Sequence, residues 1–407
     1  MIQKPEHSVP GLRFPEYYGN WTYTKLGDIG SFTGGGTPDT NVKKYWKGDI
    51  PWISSSDLID GDIHNLKPTR FITEKAINES STKLVPANSV MFVSRVGVGK
   101  LAINQTSICT SQDFTTFTPD NGNSFFIGYL FQSEKNLLLR YSQGTSIQGL
   151  TSKDLKAIKT LQPEDKEQKK IATFLAAVDK KIEQISKKKN LVEQYKKGML
   201  QKLFSQQIRF KDDQGNEYPS WEEKRLGDIA EFTKGKGISK NDIDEAGANE
   251  CIRYGQLYTD YNETIFDIKS RTNVPSEKLV FSEINDIIIP ASGETQIDIA
   301  TASCVLKNDI ALGGDLNIIK TKHNGVFLTY YLNSVRKFDV ARLSQGISVV
   351  HLYPAQLKLL NLSLPSKPEQ QTIANFLSAI DCKIELITTQ LEKAQSFKKG
   401  LLQQMFV

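Results

Sequence analysis

The chain reads PEDKEQKKIATFLAAVDKKI at residues 163–182 and PSKPEQQTIANFLSAIDCKI at residues 365–384, which lie 202 residues further on. In both stretches apolar residues recur at alternating steps of four and three, the spacing of a coiled-coil helix. Prolines lie only where each stretch begins, at Pro163, Pro365 and Pro368. We therefore predict two long, uninterrupted helices that begin near residue 165 and near residue 367.

The apolar stripe of the two helices is the predicted core of a helix pair. Its residues are Ile171, Leu175, Val178, Ile182 and Ile185 in the first helix and Ile373, Leu377, Ile380, Ile384 and Ile387 in the second. Lysines occupy stripe positions at Lys189, Lys196 and Lys398. A helix of about 40 residues is roughly 60 Å long, so its stripe needs a partner along that length. We expect the two helices to pair with each other; an intermolecular coiled coil is the alternative.

A second repeat lies near the beginning of each half of the chain. The motif W-x4-LGDI at Trp21 returns 200 residues later at Trp221, followed in both copies by Phe-Thr and a glycine. Residues 37–140 and 238–341 show no visible similarity to each other, although their lengths are nearly equal. A duplicated frame with two divergent inserts predicts two different binding surfaces on one chain.

These repeats predict an α/β fold class with a pseudo-two-fold internal repeat. We expect two globular mixed α/β domains separated by a pair of long antiparallel helices, an intramolecular coiled coil. The predicted boundaries are a first domain over residues 1–163, a first helix over 164–205, a second domain over 206–365 and a second helix over 366–407.

Short β-like runs separated by turn residues characterise both inserts. The first insert predicts strands and then a helix at residues 50–54, 90–94, 101–103, 114–117 and 126–141. The second insert predicts strands and then a helix at residues 286–289, 297–305, 316–319 and 325–343. Each insert is thus expected to fold as a mixed module of modest size.

Composition limits the class of protein. The 51 basic and 46 acidic side chains give a net charge of only +5, so a polyanionic partner has to be argued locally. No run of 18 apolar residues and no apolar N-terminal signal region is present, which predicts a soluble, cytoplasmic protein without a membrane partner. The four cysteines and four histidines lack metal-ligand spacing, so no metal site is expected.

Polar and basic side chains cluster at turns of the inserts, where they have the chemistry for nucleic acid. Lysine and arginine neutralise phosphates, and arginine and serine can also read base edges. The candidate DNA-binding residues are Lys43, Lys44, Trp46, Ser94, Arg95 and Lys100 in the first insert and Lys234, Lys236, Lys240, Arg253, Tyr254 and Ser292 in the second. Taken singly, a residue of this type in a turn is more often an ordinary surface side chain than a DNA contact.

Motifs for catalysis are missing. The sequence has no Asn/Asp-Pro-Pro-Tyr/Phe pocket of an amino-methyltransferase and no phosphate-binding Gly-x4-Gly-Lys-Ser/Thr loop. Acid-x-Lys triplets begin at Asp179, Asp381 and Glu222, but the first two lie in the predicted helices, where a nuclease centre would lack its strands. We therefore predict no catalytic residue.

The twin motifs resemble the specificity subunit of type I restriction-modification enzymes over the whole chain. The resemblance rests on W-x4-LGDI at Trp21 and Trp221 and on P-x3-EQ-x2-IA-x-FL-x3-D-x2-I at Pro163 and Pro365. It implies that each insert is a target-recognition domain for one half of a bipartite, asymmetric sequence in double-stranded DNA. The helices would then act as a ruler, so four residues inserted after Gln194 are expected to lengthen the preferred gap or abolish recognition.

The resemblance also implies partners and the division of labour among them. Two modification subunits would carry S-adenosylmethionine and methylate adenine, and restriction subunits would consume ATP with Mg²⁺. This chain would bind no cofactor and would not be an enzyme itself. Two alternatives remain at this point: a coiled-coil scaffold with two protein-binding heads, which salt-dependent DNA binding would distinguish, and a self-sufficient nuclease, which would cut DNA with magnesium alone.

Overall fold

The computed structural model describes residues 9–141, 149–346 and 348–406. The chain forms two compact units, Met1–Ser186 with Thr389–Val407, and Lys187–Thr388. Each unit holds one globular domain together with part of each long helix. Within the described ranges, none of the helices carries an apolar stretch that would span a bilayer.

The first unit is built on two four-stranded sheets. Its strands are β1 (Thr22–Lys25), β2 (Gly30–Gly34), β3 (Ile50–Ile53), β4 (Arg70–Ile72), β5 (Leu84–Val85), β6 (Val90–Val93), β7 (Leu101–Ile103), β8 (Ile108–Thr110), β9 (Phe114–Pro119) and β10 (Lys159–Gln162). One sheet is antiparallel, in the order β2-β9-β6-β7. The other has the order β4-β3-β8-β5 and contains a parallel pair, β3 with β8. Strand β1 pairs with β10.

The helices of the first unit are short, apart from the first long helix. They are α1 (Glu74–Glu79), α2 (Ser124–Ser133), α3 (Lys135–Tyr141), α4 (Ser152–Ala157) and the first long helix α5 (Asp165–Phe204), with 3-10 turns at Leu26–Asp28, Lys43–Trp46 and Ser55–Asp57. The Asn123 side chain caps α2 by accepting the backbone N–H groups of Phe125 and Phe126. Strand β6 is wholly buried, as its continuous apolar run requires.

The second unit also contains two larger sheets, with five and three strands in place of four and four. Its strands are β11 (Glu222–Arg225), β12 (Ala230–Lys234), β13 (Asn249–Ile252), β14 (Thr264–Ile265), β15 (Ser270–Thr272), β16 (Ile287–Pro290), β17 (Ser292–Gly293), β18 (Ser303–Val305), β19 (Ala311–Leu312), β20 (Leu316–Thr321), β21 (Val350–His351) and β22 (Asn361–Leu364). The larger sheets have the orders β12-β20-β16-β18-β14 and β15-β13-β19, and β13 runs parallel to β19. The remaining pairs are β11 with β22 and β17 with β21.

The helices of the second unit are likewise short, apart from the second long helix. They are α6 (Leu226–Ile229), α7 (Gln256–Thr259), α8 (Gln296–Ile299), α9 (Gly325–Ser334), α10 (Lys337–Leu343), α11 (Pro354–Leu357) and the second long helix α12 (Lys367–Met405), with 3-10 turns at Lys240–Asp242 and Ser276–Lys278. Asn324 caps α9 as Asn123 caps α2. The inserts therefore share one fold although their sequences show no visible similarity.

The predicted long helices are confirmed, and both begin where their prolines place them. In the first unit, Ile171 and Leu175 of α5 share a core with Leu401 and Met405 of α12. In the second unit, Leu203 of α5 shares a core with Ile373 and Leu377 of α12. The beginning of one helix thus meets the end of the other within each unit, which makes the paired segments antiparallel.

The predicted stripe residues are covered to different degrees. The buried ones are Ile171, Leu175, Ile373, Leu377, Ile380 and Ile387, and the half-buried ones are Val178, Ile182, Ile185 and Ile384.

The repeated tryptophans pack beside the ends of the long helices. The ring centres of Trp21 and Phe406 are 6.4 Å apart. In the second unit, the Trp221 ring packs on the Phe327 ring, whose centre lies 5.8 Å from that of Phe204.

Three predicted elements of the inserts are wrong in detail. The helix predicted over 126–141 is two helices, α2 and α3, because the backbone leaves the helical region at Glu134. The helix predicted over 325–343 likewise divides between α9 and α10. The strand predicted over 297–305 begins as α8, because Thr295 caps a helical turn by accepting the Asp298 N–H at 3.1 Å.

Candidate nucleic-acid interface

In the first unit, loops at the ends of both sheets meet in what we call the first loop cluster, residues 34–37, 53–57, 93–95 and 110–113. Backbone hydrogen bonds hold it together: Gly36 N to Thr110 O at 2.8 Å, Ser111 N to Ile53 O at 2.8 Å and Ser94 N to Asp113 O at 2.7 Å. These bonds fix the loops to the sheets, so polar side chains on them are presented on a rigid base.

The second unit has an equivalent second loop cluster, residues 234–238, 252–254, 290–292 and 312–315. Its backbone bonds match the first set: Lys236 N to Leu312 O at 2.9 Å, Gly313 N to Ile252 O at 2.9 Å and Ala291 N to Asp315 O at 2.8 Å. The two domains therefore carry the same kind of platform at the same place in their fold.

One glycine in each cluster explains part of the sequence repeat. A Cβ added to Gly35 would lie 1.9 Å from Ser111 O, and one added to Gly235 would lie 1.9 Å from Gly313 O. Both contacts are with backbone, which cannot move aside cheaply. Glycine is therefore needed at both positions to let the loops approach each other.

An arginine missed by the sequence analysis organises the first loop cluster. Arg70 donates to Ser54 Oγ at 2.7 Å and also to the Asp57 carboxylate. Its guanidinium carbon lies 4.5 Å from the centre of the Trp52 ring, and Trp52 Nε1 donates to Gly36 O at 3.0 Å. The first cluster thus has a charged and aromatic centre in which Arg70 is bound through its Nη2 atom. Arg70 was missed because it lies on β4, outside the turns from which the candidates were taken.

The structure distributes the candidate residues of the first insert unevenly. Arg95 is exposed in the loop that follows β6, whereas Ser94 is 3% exposed and its hydroxyl donates to Asp113 O at 3.1 Å. Ser94 is therefore an internal residue of this fold and not a candidate contact. Lys100 is half-buried, and its ammonium donates to Leu58 O at 3.4 Å.

The other candidates of the first insert lie on the 3-10 turn Lys43–Trp46. Lys43 and Lys44 are exposed there. Trp46 donates from Nε1 to Asp39 O at 3.2 Å and packs edge-on against Trp52 at 5.0 Å. Trp46 therefore has a packing role, and the two lysines remain available to phosphates.

In the second insert, most candidates lie on the second loop cluster. Lys236 is exposed, and Lys234 lies with its ammonium 5.5 Å from the centre of the Tyr353 ring. Tyr254 is 38% exposed, and Ser292 is half-buried beside it in the cluster, where its carbonyl accepts the Tyr258 hydroxyl at 3.2 Å. Arg253 immediately precedes Tyr254. Lys240 lies on the separate 3-10 turn Lys240–Asp242, the counterpart of the turn that carries Lys43 and Lys44.

The first domain is bonded to the long helices through a polar cluster around Asp179 of α5. Its carboxylate accepts the Tyr129 hydroxyl at 2.7 Å and pairs with Lys398 of α12 at 2.6 Å, and His64 Nε2 lies 3.1 Å away. Burial raises the pKa of Asp179, but the hydrogen bonds from His64, Lys398 and Tyr129 outweigh it and lower this pKa overall. Asp179 is therefore held as a carboxylate.

The second domain is bonded to the long helices through a similar cluster, in which the aspartate, the tyrosine and the lysine are repeat-related to those of the first domain. Asp381 of α12 accepts the Tyr330 hydroxyl and pairs with Lys196 of α5 at 2.7 Å. Lys196 also pairs with Glu263 at 3.1 Å. Burial lowers the pKa of Lys196, but Glu263 and Asp381 outweigh it and raise this pKa overall. Two of the lysines that interrupt the apolar stripe, Lys196 and Lys398, are thus the cations of these clusters.

These clusters lead to a ranked stability prediction. Lys196→Met should lower the free energy of unfolding by about 2–3 kcal/mol, because it leaves two carboxylates without their cation. Lys398→Met should cost about 1–2 kcal/mol, since Asp179 keeps Tyr129 and His64 as partners. Urea unfolding followed by circular dichroism measures both, with the exposed Lys180→Met as the control. Equal effects of the two variants would contradict this assignment.

A second pair of matched bonds fixes the beginning of each long helix. Arg13 Nε donates to Glu167 of α5 at 2.7 Å, and Glu167 is 1% exposed. Arg209 Nε donates to Glu369 of α12 at 3.0 Å, and Glu369 is 0% exposed. These ion pairs explain why the Glu-Gln pair of the repeated motif begins with a glutamate. Among the described residues, no group of three or more His, Cys, Asp or Glu side chains is placed to hold a metal ion.

The chain is similar to known specificity proteins. A family model for the type I restriction modification DNA specificity domain matches residues 18–194 and again residues 219–396. The type I restriction enzyme MjaIX specificity subunit of Methanocaldococcus jannaschii is 26% identical over 403 residues, which cover 94% of this chain and 92% of that protein. The EcoR124I/EcoR124II specificity subunit of Escherichia coli is 34% identical over 176 residues, 41% of this chain and 43% of that protein.

Solved structures agree on the fold. The crystal structure of the type I restriction-modification system S subunit from M. genitalium aligns with a TM-score of 0.65 at 17% identity. The alignment covers 98% of this chain and 99% of that one. The duplicated arrangement of α/β domains and long helices is thus shared over the whole length.

Proposed function

Because this chain belongs to the type I restriction-modification DNA specificity family, we propose that it reads a bipartite, asymmetric sequence in double-stranded DNA, with one half-site per domain. One observation carries the proposal: the two loop clusters share their backbone bonds but differ in their side chains. Because the backbone of the two loop clusters is alike while their side chains offer different hydrogen-bond donors, the two domains are suited to half-sites of different base sequence. A DNA target further implies that the protein works in the cytoplasm.

The phosphate contacts in this proposal are made by exposed basic residues around the loop clusters. They are Lys43, Lys44, Arg95, Lys234, Lys236 and Lys240. Such contacts give affinity and register without sequence information. Base contacts would come from the partly buried side chains nearer the centre of each cluster.

The same proposal includes protein partners. Two modification subunits would supply S-adenosylmethionine and methylate adenine, and restriction subunits would supply the ATP- and Mg²⁺-dependent step, so this chain itself performs no catalysis. Matched aromatic residues on the long helices support two copies of one partner. Tyr195 and Phe397 lie 202 residues apart and are 52% and 58% exposed. Two identical subunits could therefore meet equivalent side chains.

The test of DNA reading is the salt dependence of binding. If the six basic residues each neutralise one phosphate, the logarithm of the association constant should fall with the logarithm of salt concentration with a slope of about −5. Fluorescence anisotropy with a duplex containing the target, bound by the complex with modification subunits, measures the slope. Lys240→Gln should make it shallower by about one. A complex that shows no salt-dependent binding to duplex DNA would sink the proposal in favour of a protein-binding scaffold.

A further inference from the structure

Arg253, which directly follows strand β13, is a half-buried arginine without an acceptor. Its Nε is buried and makes no hydrogen bond, and its guanidinium has no carboxylate, carbonyl or hydroxyl partner within the part of the chain that the structure describes. The two Nη atoms also make no hydrogen bond with the described residues, but they are not buried, so they keep contact with solvent. A buried donor without a partner is costly, and such a group in a folded protein calls for an explanation.

Other partly buried arginines of the described chain each have at least one acceptor; Arg336, whose Nε is likewise buried and unpartnered, donates from Nη1 to Asp339 at 3.1 Å. Arg209 and Arg13 donate to Glu369 and Glu167. Arg70 donates to Ser54 and Asp57, and Arg271 donates to Gly247 O at 2.6 Å. Arg253 differs because its inner edge is covered while its outer edge has nothing to bind. The fold thus presents two parallel N–H donors at the second loop cluster.

The backbone under Arg253 is rigid. Its N–H donates to Gln256 Oε1 at 3.0 Å, and its carbonyl accepts the Gln256 N–H at 3.0 Å. Gln256 is 5% exposed, and its Nε2 donates to Ser270 Oγ at 2.9 Å. On the other side, Ile252 O accepts the Gly313 N–H at 2.9 Å. A rigid backbone fixes the point from which the side chain extends, which favours directional recognition.

The matched position in the first domain carries different chemistry. Ile53 O accepts the Ser111 N–H as Ile252 O accepts that of Gly313, so Ser54 is the counterpart of Arg253. At Ser54 the nearby arginine, Arg70, is already bound to Asp57. Of these two matched sites, only the second offers a guanidinium that makes no hydrogen bond within the described chain.

We propose that Arg253 reads a guanine in the half-site of the second domain, by donating from Nη1 and Nη2 to the O6 and N7 atoms of the base. This inference rests on the proposed function. Guanine is the base whose major-groove edge presents two adjacent acceptors to an arginine fork. The exposed Lys236 of the same cluster is suited to a phosphate, which needs charge but no fixed direction.

The experiment selects DNA from a randomised duplex pool with the complex of the full chain and its modification subunits. The wild-type complex should require guanine at one position of the second half-site. Arg253→Gln should relax that position alone and reduce affinity for the wild-type target about 5- to 150-fold. Arg253→Lys keeps the charge but loses the fork, so it should also lose the guanine requirement.

Matched variants separate the possible outcomes. Lys236→Gln should weaken binding to all sequences without changing any preferred base, and the exposed Arg225→Gln should change neither. The assignment of Arg253 is overturned if the Arg253→Lys complex still requires guanine. It is also overturned if Arg253→Gln lowers the affinity for all sequences equally. A wild-type complex without any sequence preference overturns the proposed function itself. If Arg253→Gln fails to fold, Arg253→Lys decides the question.

Discussion

Replacing Arg209 by methionine is expected to lower the free energy of unfolding of the second unit by about 3–5 kcal/mol. Arg209 donates to both oxygens of Glu369, from Nε at 3.0 Å and from Nη2 at 2.7 Å. The hydrogen bond to Glu369 raises the pKa of Arg209, against the effect of burial. Methionine keeps an unbranched apolar side chain at this position but leaves the Glu369 carboxylate, which is 0% exposed, without a cation.

The measurement is urea unfolding of the full chain, with circular dichroism for the helices. Arg13→Met should produce a comparable loss in the first unit, because Glu167 is 1% exposed. Lys211→Met is the matched control: Lys211 pairs with Glu217 at 3.1 Å, but the two side chains are 59% and 64% exposed. Removing that surface pair should cost less than about 1 kcal/mol. An Arg209→Met variant no less stable than the control would refute the role given to Glu369.

The two long helices and the duplicated frame could be predicted because their information is periodic and local. Apolar spacing and the position of prolines determine where a helix begins, whatever lies around it. The partners of the repeated polar residues could not be predicted. Glu167 and Glu369 lie 202 residues apart, but their arginines, Arg13 and Arg209, are separated by 196, so no constant offset connects them.

The similar fold of the two inserts could not be predicted from their sequences, and the reason is physical. Matched core positions need only fill a volume jointly with their neighbours. Trp52 faces Cys109 across the parallel pair of the first domain, whereas Cys251 faces Ala311 in the second. The residue types differ at both matched positions, and the pairing of strands is nevertheless the same. Sequence identity is therefore lost at these positions while the topology is kept.

The candidate site residues were predicted from side-chain chemistry alone, and chemistry does not determine exposure. Ser94 and Arg95 are neighbours in sequence, yet one is buried and the other exposed. Arg253 was named for its charge, but its distinctive property is that its guanidinium has no acceptor among the described residues. That property depends on the fold of residues far along the chain, such as Gly313, and no local pattern carries it.

If the proposed function holds, inserting one heptad in each long helix, after Ser186 and after Thr388, should change the preferred spacing between the two half-sites. Ser186 and Thr388 occupy matched positions 202 residues apart and lie at the boundaries of the two units. Seven residues keep the apolar stripe in register, and the Asp179–Lys398 and Asp381–Lys196 pairs each stay within one unit. The folded domains should therefore be retained while the helices lengthen.

Seven residues add roughly 10 Å of helix at about 1.5 Å per residue, and this corresponds to about three base pairs at roughly 3.4 Å each. We expect methylation at the original gap to fall at least about 100-fold and to return on targets whose gap is about three base pairs longer, with both half-site sequences unchanged. The readout is methylation of a plasmid library with variable gaps by the complex with modification subunits. The control carries Ser186→Ala and Thr388→Ala without an insertion and should keep the original gap. If the lengthened protein keeps that gap as well, the helices do not set the spacing.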